Sequence, residues 1–308
     1  MIPQMTLPPR AWAGLLALAL IWGFSFLSMR IALDEIGPFN VVAHRVFWAT
    51  AALLAFVRWR GLSLPRDPRI WAAFAVMGLL NNVIPFSLIA WGQQHIETGL
   101  ASIINASTAI WGVFVAAILL PDERLTWRKG VGVAIGFLGV ATALGLDALR
   151  HLDLRSLSQL AVLGATLSYA LAGVWARRTL RGLAPEVAAV GMLIGATIFA
   201  LPVAILVEGR IDFALSPVTW GALAYVALVA TALAYLLYYR VLALAGSGNL
   251  MLTTLLVAPV AVLAGAVARA EALAPSAYAG FALLALGLSV IDGRLWARFG
   301  LVSRTSRR

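Results

Sequence analysis

The chain has 308 residues, 62% of them hydrophobic and only 12% charged, with a mean hydropathy of +0.93. A soluble domain of this size carries about a quarter charged residues, so the composition does not fit a water-soluble fold. The formal charge of +10 does not point to nucleic acid, because the 22 Arg and single Lys punctuate apolar runs and form no basic face. Zero cysteines exclude disulfides and thiolate chemistry.

Residues 1–10 are too polar and Pro-rich for a signal peptide, and the run that follows reads as a first membrane helix. Gaps between charges and turn residues predict ten spans. The first five are 11–33, 39–57, 70–94, 99–120 and 127–146; the second five are 157–176, 185–207, 217–240, 248–268 and 274–291. Only Arg240 interrupts residues 213–268, and the turn there is placed at Gly246-Ser247-Gly248-Asn249 on breaker chemistry. Residues 299–308 form a basic tail. With ten crossings, one set of loops and ends holds seventeen basic residues and the opposite set five. The positive-inside rule then puts both termini in the cytoplasm. The fold class is an all-α polytopic membrane protein.

The charged break Pro121–Leu125 and the glycines after it return later in the chain. Glu123, Leu125, Gly132 and Gly139 recur 148 residues on as Glu271, Leu273, Gly280 and Gly287. The chain thus reads as two five-helix repeats, 11–146 and 157–292. An odd number of helices per copy means that the second copy enters the membrane inverted. Inverted copies offer two related states, one open to each side, which is the logic of alternating access. The alternative is that duplication only built a large helical scaffold.

These features resemble the EamA-type, ten-helix transporters of the drug/metabolite transporter superfamily. The likeness rests on Leu20-Ile21-Trp22-Gly23-Phe24-Ser25-Phe26, on Arg45 early in the second span, and on Pro121–Leu125 with Gly132 and Gly139. It covers residues 11 to 292 and departs from the pattern at Ala270 and around Tyr169. It implies a bacterial inner-membrane secondary transporter. The cavity would be built mainly from spans one, three, four, six, eight and nine. The pattern is most similar to YddG-type exporters of aromatic amino acids. The short multidrug exporters use an acid in their first helix, whereas none of the 13 Asp and Glu here sits at mid-depth in a span. A lipophilic dication would meet no countercharge. Permeation of another solute class (nucleoside, sugar or drug) and a non-transporting receptor or scaffold are the alternatives.

Several positions are candidates for substrate contact. Trp22 and Trp111 lie about 17 Å into their spans, too deep for the interfacial aromatic belt, and Tyr169 is at similar depth in the sixth span. Their ring faces suit stacking or an ammonium, or they fill gaps between helices. Ser25 shares a face with Trp22. Asn105 and Thr108 lie on a polar stripe with Thr98, Ser102 and Gly112; Asn249 and Thr253 repeat the four-residue step in the ninth span. Asn81 and Asn82 precede Pro85 by a turn. Buried amides in lipid need partners or water, so these asparagines are assigned to a cavity; helix–helix contact is the other reading. Pro85 and Pro259 each remove a backbone hydrogen bond and are read as kink sites. Arg45 is the one charge well inside a span. It either captures a substrate carboxylate, or snorkels outward or pairs with Asp34 or Glu35.

His44 is given no coupling role. No cluster has metal-ligand spacing, no Gly-rich phosphate loop follows a strand, and no nucleophile has a partner triad, so no enzymatic reading and no cofactor is expected. The expected partners are the lipid bilayer and a small-molecule metabolite, an amino acid by the resemblance. No nucleic acid is expected, and a monomer is a sufficient unit.

Overall fold

A computed structural model describes residues 7–96, 98–144, 156–269 and 275–292. Glu271 and Leu273 of the repeat, and the tail 299–308, lie outside the described residues. Every regular element among the described residues is helical. These are α1 Pro9–Leu33, α2 Pro38–Trp59, α3 Pro68–Gln93, α4 Thr98–Ala106, α5 Thr108–Leu119 and α6 Trp127–Leu144. They continue with α7 Leu157–Thr179, α8 Pro185–Glu208, α9 Pro217–Ala245, α10 Ser247–Met251, α11 Thr253–Arg269 and α12 Pro275–Asp292.

Six of these helices begin at a proline, where the ring presets a helical φ and the missing N–H had no intrahelical partner in any case. Among the described residues, seven stretches are long and apolar enough to cross a bilayer: α1, α2, α3, Leu100–Leu119, α7, α8 and α9. Ser247–Val260 and Pro275–Ile291 are apolar but shorter. The expected spans 127–146, 248–268 and 274–291 are the ones not represented among the seven. Large apolar side chains face outward, including Leu206 at 84% and Ile118 at 78% exposure. A surface of that kind is suited to lipid.

Two pairs of helices related by the internal repeat pack directly on each other. In α6 and α12, a Cβ at Gly132 would come within 2.7 Å of the Gly287 oxygen, and one at Gly139 within 2.8 Å of the Gly280 oxygen. Only glycine permits that approach. Since Gly132 meets Gly287 and Gly139 meets Gly280, the two helices run antiparallel. In α2 and α8, Thr50 and Thr197 join their hydroxyls at 2.8 Å. The Glu208 carboxylate accepts from the Phe39 N–H (2.8 Å) and the Asn40 N–H (2.9 Å). Residue 39 meets 208 and 50 meets 197, so this pair is antiparallel as well.

Glu208 supplies the first turn of α2 with the acceptor that its unbonded N–H groups need. Glu123 does the same for α10, which follows the end of α9, where Arg240 pairs with Glu186 at the opposite end of α8 from Glu208. Glu123 is 2% exposed and accepts from the Ser247 N–H at 2.8 Å and the Gly248 N–H at 2.7 Å. Arg177 donates to it at 2.8 Å and also pairs with Asp122. Gly246 brings the chain in with φ +84°, and a Cβ there would sit 2.6 Å from the Glu123 carboxylate. The two carboxylates thus tie the halves together at opposite ends.

Candidate functional site

α3 and α9 each contain a π-helical turn, Leu79–Val83 and Tyr225–Leu233, about one repeat apart. In the first, the Ile84 N–H bonds the Leu79 oxygen, five residues back, which frees the Leu80 carbonyl. In the second, the Ala234 N–H bonds the Val229 oxygen and frees the Ala230 carbonyl. A freed carbonyl inside a bundle needs a donor from elsewhere. Ser168 of α7 donates to Leu80 O at 2.7 Å. Trp22 of α1 donates its indole N–H to Ala230 O at 2.9 Å, and Arg45 approaches the same oxygen at 3.4 Å. Pro85 has no N–H for the Asn81 carbonyl; the Tyr235 hydroxyl, whose one proton goes to Asn82 Oδ1 at 2.6 Å, lies 3.3 Å from that oxygen as a weaker second contact.

Between these turns lies a cavity whose volume open to water is about 80 Å³, room for roughly five waters at ~15 Å³ each. Its wall brings together Trp22, Ser25, Arg45, Asn81, Asn105, Thr108, Tyr169 and Thr253, all singled out from the sequence. Phe26, Met29, Phe86, Ile89, Tyr235, Tyr238, Leu250, Met251, Thr254 and Val257 complete it. Among the described residues the wall has one charged residue, Arg45, and no acid. At Ser107 and Leu252 the α pattern tightens to bonds three residues back. The following threonines each cap a carbonyl: Thr108 on Asn105 O and Thr253 on Leu250 O, both at 2.7 Å. Two interrupted helices in corresponding parts of the chain therefore border the same space.

Arg45 neither snorkels nor pairs with Asp34 or Glu35. It is 5% exposed, and its Nε donates to Thr231 Oγ1 at 2.7 Å while its guanidinium lies 3.7 Å from the centre of the Phe86 ring. Asp34 instead faces Arg30 at 3.8 Å, and Glu35 accepts from Ser216. Among the described residues no carboxylate neutralises Arg45. A central charge costs about 2.5–3.5 kcal/mol on insertion scales. One hydrogen bond to a charged group (about 1.5–3 kcal/mol) and a desolvated cation–π contact (~2 kcal/mol) are of the same size. The guanidinium is held in place by neutral dipoles and a ring, and its charge stays uncompensated.

Four other candidates lie elsewhere. Asn82 is fully buried away from the cavity, where its carboxamide oxygen accepts from Tyr235 OH at 2.6 Å. Neighbouring residues of a helix stand about 100° apart, so Asn82 faces a different way from Asn81. Trp111 is half-buried outside the wall, on the far side of the break at Ser107. Asn249 is buried at the start of α10 and donates to Ala245 O at 2.8 Å. Pro259 sits inside α11, also off the wall. Pro85 adjoins the cavity only through its effect on Asn81. Phe86, Tyr235 and Tyr238 were missed, although Phe86 follows Pro85 directly and the Tyr235–Tyr239 cluster is the densest group of tyrosines in the chain.

The EamA-like transporter family model matches the chain twice, over residues 10–145 and 156–291. A probable terminal-alkyne amino-acid exporter of Streptantibioticus cattleyicolor is 29% identical over 99% of this chain and 100% of its own length. An uncharacterized transporter of Archaeoglobus fulgidus is 29% identical over 79% of this chain and 84% of its own. The uncharacterized inner membrane transporter YedA of Escherichia coli is 26% identical over 54% of this chain and 53% of its own. A crystal structure aligns with a TM-score of 0.76 at 20% identity, covering 95% of this chain and 99% of that one, a likeness of fold. Matched along both halves by one family model, with a cavity at the meeting of two π turns, the chain belongs to the EamA-like transporter family.

Proposed function

We propose that this protein exports amino acids, aromatic ones included, across a bacterial inner membrane by alternating access. In this reading the chain crosses the bilayer ten times as two inverted five-helix repeats, with both termini cytoplasmic. The antiparallel packing of α6 on α12 and of α2 on α8 supports the inversion. The observation that carries the substrate class is the uncompensated guanidinium of Arg45 on the wall of an aromatic-lined cavity. Such a charge is satisfied by an incoming carboxylate, which meets it with charge-assisted hydrogen bonds. Trp22, Phe26, Tyr169 and Tyr238 then offer apolar and ring surface to a side chain. The name of the Streptantibioticus relative, an amino-acid exporter, agrees. No acid on the wall is available as a proton relay, so efflux runs down the metabolite gradient or by exchange.

The test is counterflow in proteoliposomes with a panel of amino acids. Saturable exchange of aromatic amino acids that disappears in Arg45→Met is the expected result. Absence of exchange for every amino acid removes the proposal. Single cysteines at positions 81 and 105, in the naturally cysteine-free chain, should react with water-soluble thiol reagents and be protected by substrate.

A further inference from the structure

Among the described residues, two on the cavity wall carry a buried side-chain polar atom with no hydrogen-bond partner: the Asn105 carboxamide oxygen and the Tyr238 hydroxyl. A hydroxyl can turn to donate or accept, but a carboxamide oxygen only accepts. Asn105 is 6% exposed and sits in the last turn of α4, just before the break at Ser107. Its backbone carbonyl is already taken by the Thr108 hydroxyl at 2.7 Å. The side-chain oxygen is thus an unused acceptor in a place where an unmade hydrogen bond is costly. Asn105 lines the same cavity as Arg45, whose guanidinium can only donate.

We propose that Asn105 is a specificity-determining residue that receives the α-ammonium of the substrate, and that the ligands of this cavity are zwitterionic α-amino acids with uncharged side chains. This rests on the carboxylate reading of Arg45 given above. An ammonium beside a fixed guanidinium needs an acceptor, and a neutral amide supplies one without cancelling the charge that holds the carboxylate. With one fixed positive charge and no acid on its wall, the cavity rejects ligands of net positive charge: amines without a carboxylate, and basic amino acids. A carboxylic acid of the same shape with only hydrogens on its α-carbon keeps its carboxylate contact and leaves Asn105 unpaired.

The experiment compares three probes of similar shape, each competing with labelled L-phenylalanine for the purified full-length protein: L-phenylalanine, 3-phenylpropionate and phenethylamine. Wild type should bind phenylalanine best, 3-phenylpropionate about tenfold or more weakly, as loss of one hydrogen bond to a charged group requires, and phenethylamine not at all. Asn105→Leu should cost phenylalanine about tenfold and leave 3-phenylpropionate within about threefold. Asn105→Asp, nearly isosteric, should weaken 3-phenylpropionate and admit phenethylamine. Equal losses for phenylalanine and 3-phenylpropionate in Asn105→Leu, or rejection of phenethylamine by a folded Asn105→Asp, would overturn the assignment while leaving Arg45 as the carboxylate site. If neither acid binds to wild type, the carboxylate reading and the Asn105 assignment fall together.

Discussion

The π turn of α3 and that of α9 perform the same backbone manoeuvre with different consequences. Each frees a carbonyl, and each carbonyl is capped by a side chain from the first helix of the opposite half: Ser168 on Leu80 O, Trp22 on Ala230 O. At Leu80 the cap is a neutral hydroxyl and the account is closed. At Ala230 an indole is joined by Arg45, and the neighbouring Thr231 hydroxyl takes the guanidinium Nε. Thr231 in turn donates to Val226 O at 2.7 Å, so its lone pairs face the arginine. A duplicated piece of geometry has become a structural joint in one copy and a seat for a charge in the other. In the proposed reading, function in this bundle resides in the asymmetry between two halves of similar shape.

That contrast can be broken at several points. The largest effect is expected at Arg45: Arg45→Met should lower transport at least about a hundredfold, since it removes the only cation on the wall among the described residues. Arg45→Lys, which keeps the charge but loses the planar fork over Phe86, should retain partial activity. Thr231→Val removes the acceptor for Nε and should weaken carboxylate binding about tenfold, matching one hydrogen bond to a charged group. Trp22→Ala should impair transport severalfold, whereas Trp111→Ala should stay within about twofold because that ring lies off the cavity; the two are measured side by side in the counterflow assay. The smallest change is expected from Ser168→Ala: about 1 kcal/mol of stability by thermal or denaturant unfolding, with substrate affinity kept. If Ser168→Ala and Thr231→Val shift affinity alike, the two turns are functionally equivalent and the contrast is wrong.

The same turns explain what the amino-acid sequence discloses and what it hides. Depth in a span and polarity were enough to place Trp22, Asn81, Asn105 and Tyr169 on one wall, because these follow from counting along a regular helix. Counting fails where the helix changes its own period. The tight turn at Ser107 carries Trp111 away. Asn82 is a different case: it follows Asn81 directly, about 100° further round the helix, and so meets Tyr235 instead of the cavity. Tyr235 and Tyr238 went unnoticed because tyrosines near the end of a predicted span are explained by the interfacial belt. In the folded chain they are 3% and 2% exposed and deep within the bundle. The partners of Arg45 were illegible for another reason. Thr231 is 186 residues away, and no local pattern announces a contact across that distance.

Glu123 has to wait for its own partners. Arg177 follows it by 54 residues and Gly248 by 125. At roughly 5–20 residues per second, synthesis takes about 6–25 seconds to deliver the last of these. During that interval the carboxylate has water and the nearby Lys129 charge to satisfy it, so its place in a short polar loop, instead of within an apolar run, is what allows the first half to be laid down before the second exists. The loop then closes over a helix start made 125 residues later, and the acid that was made early is buried only once that partner exists.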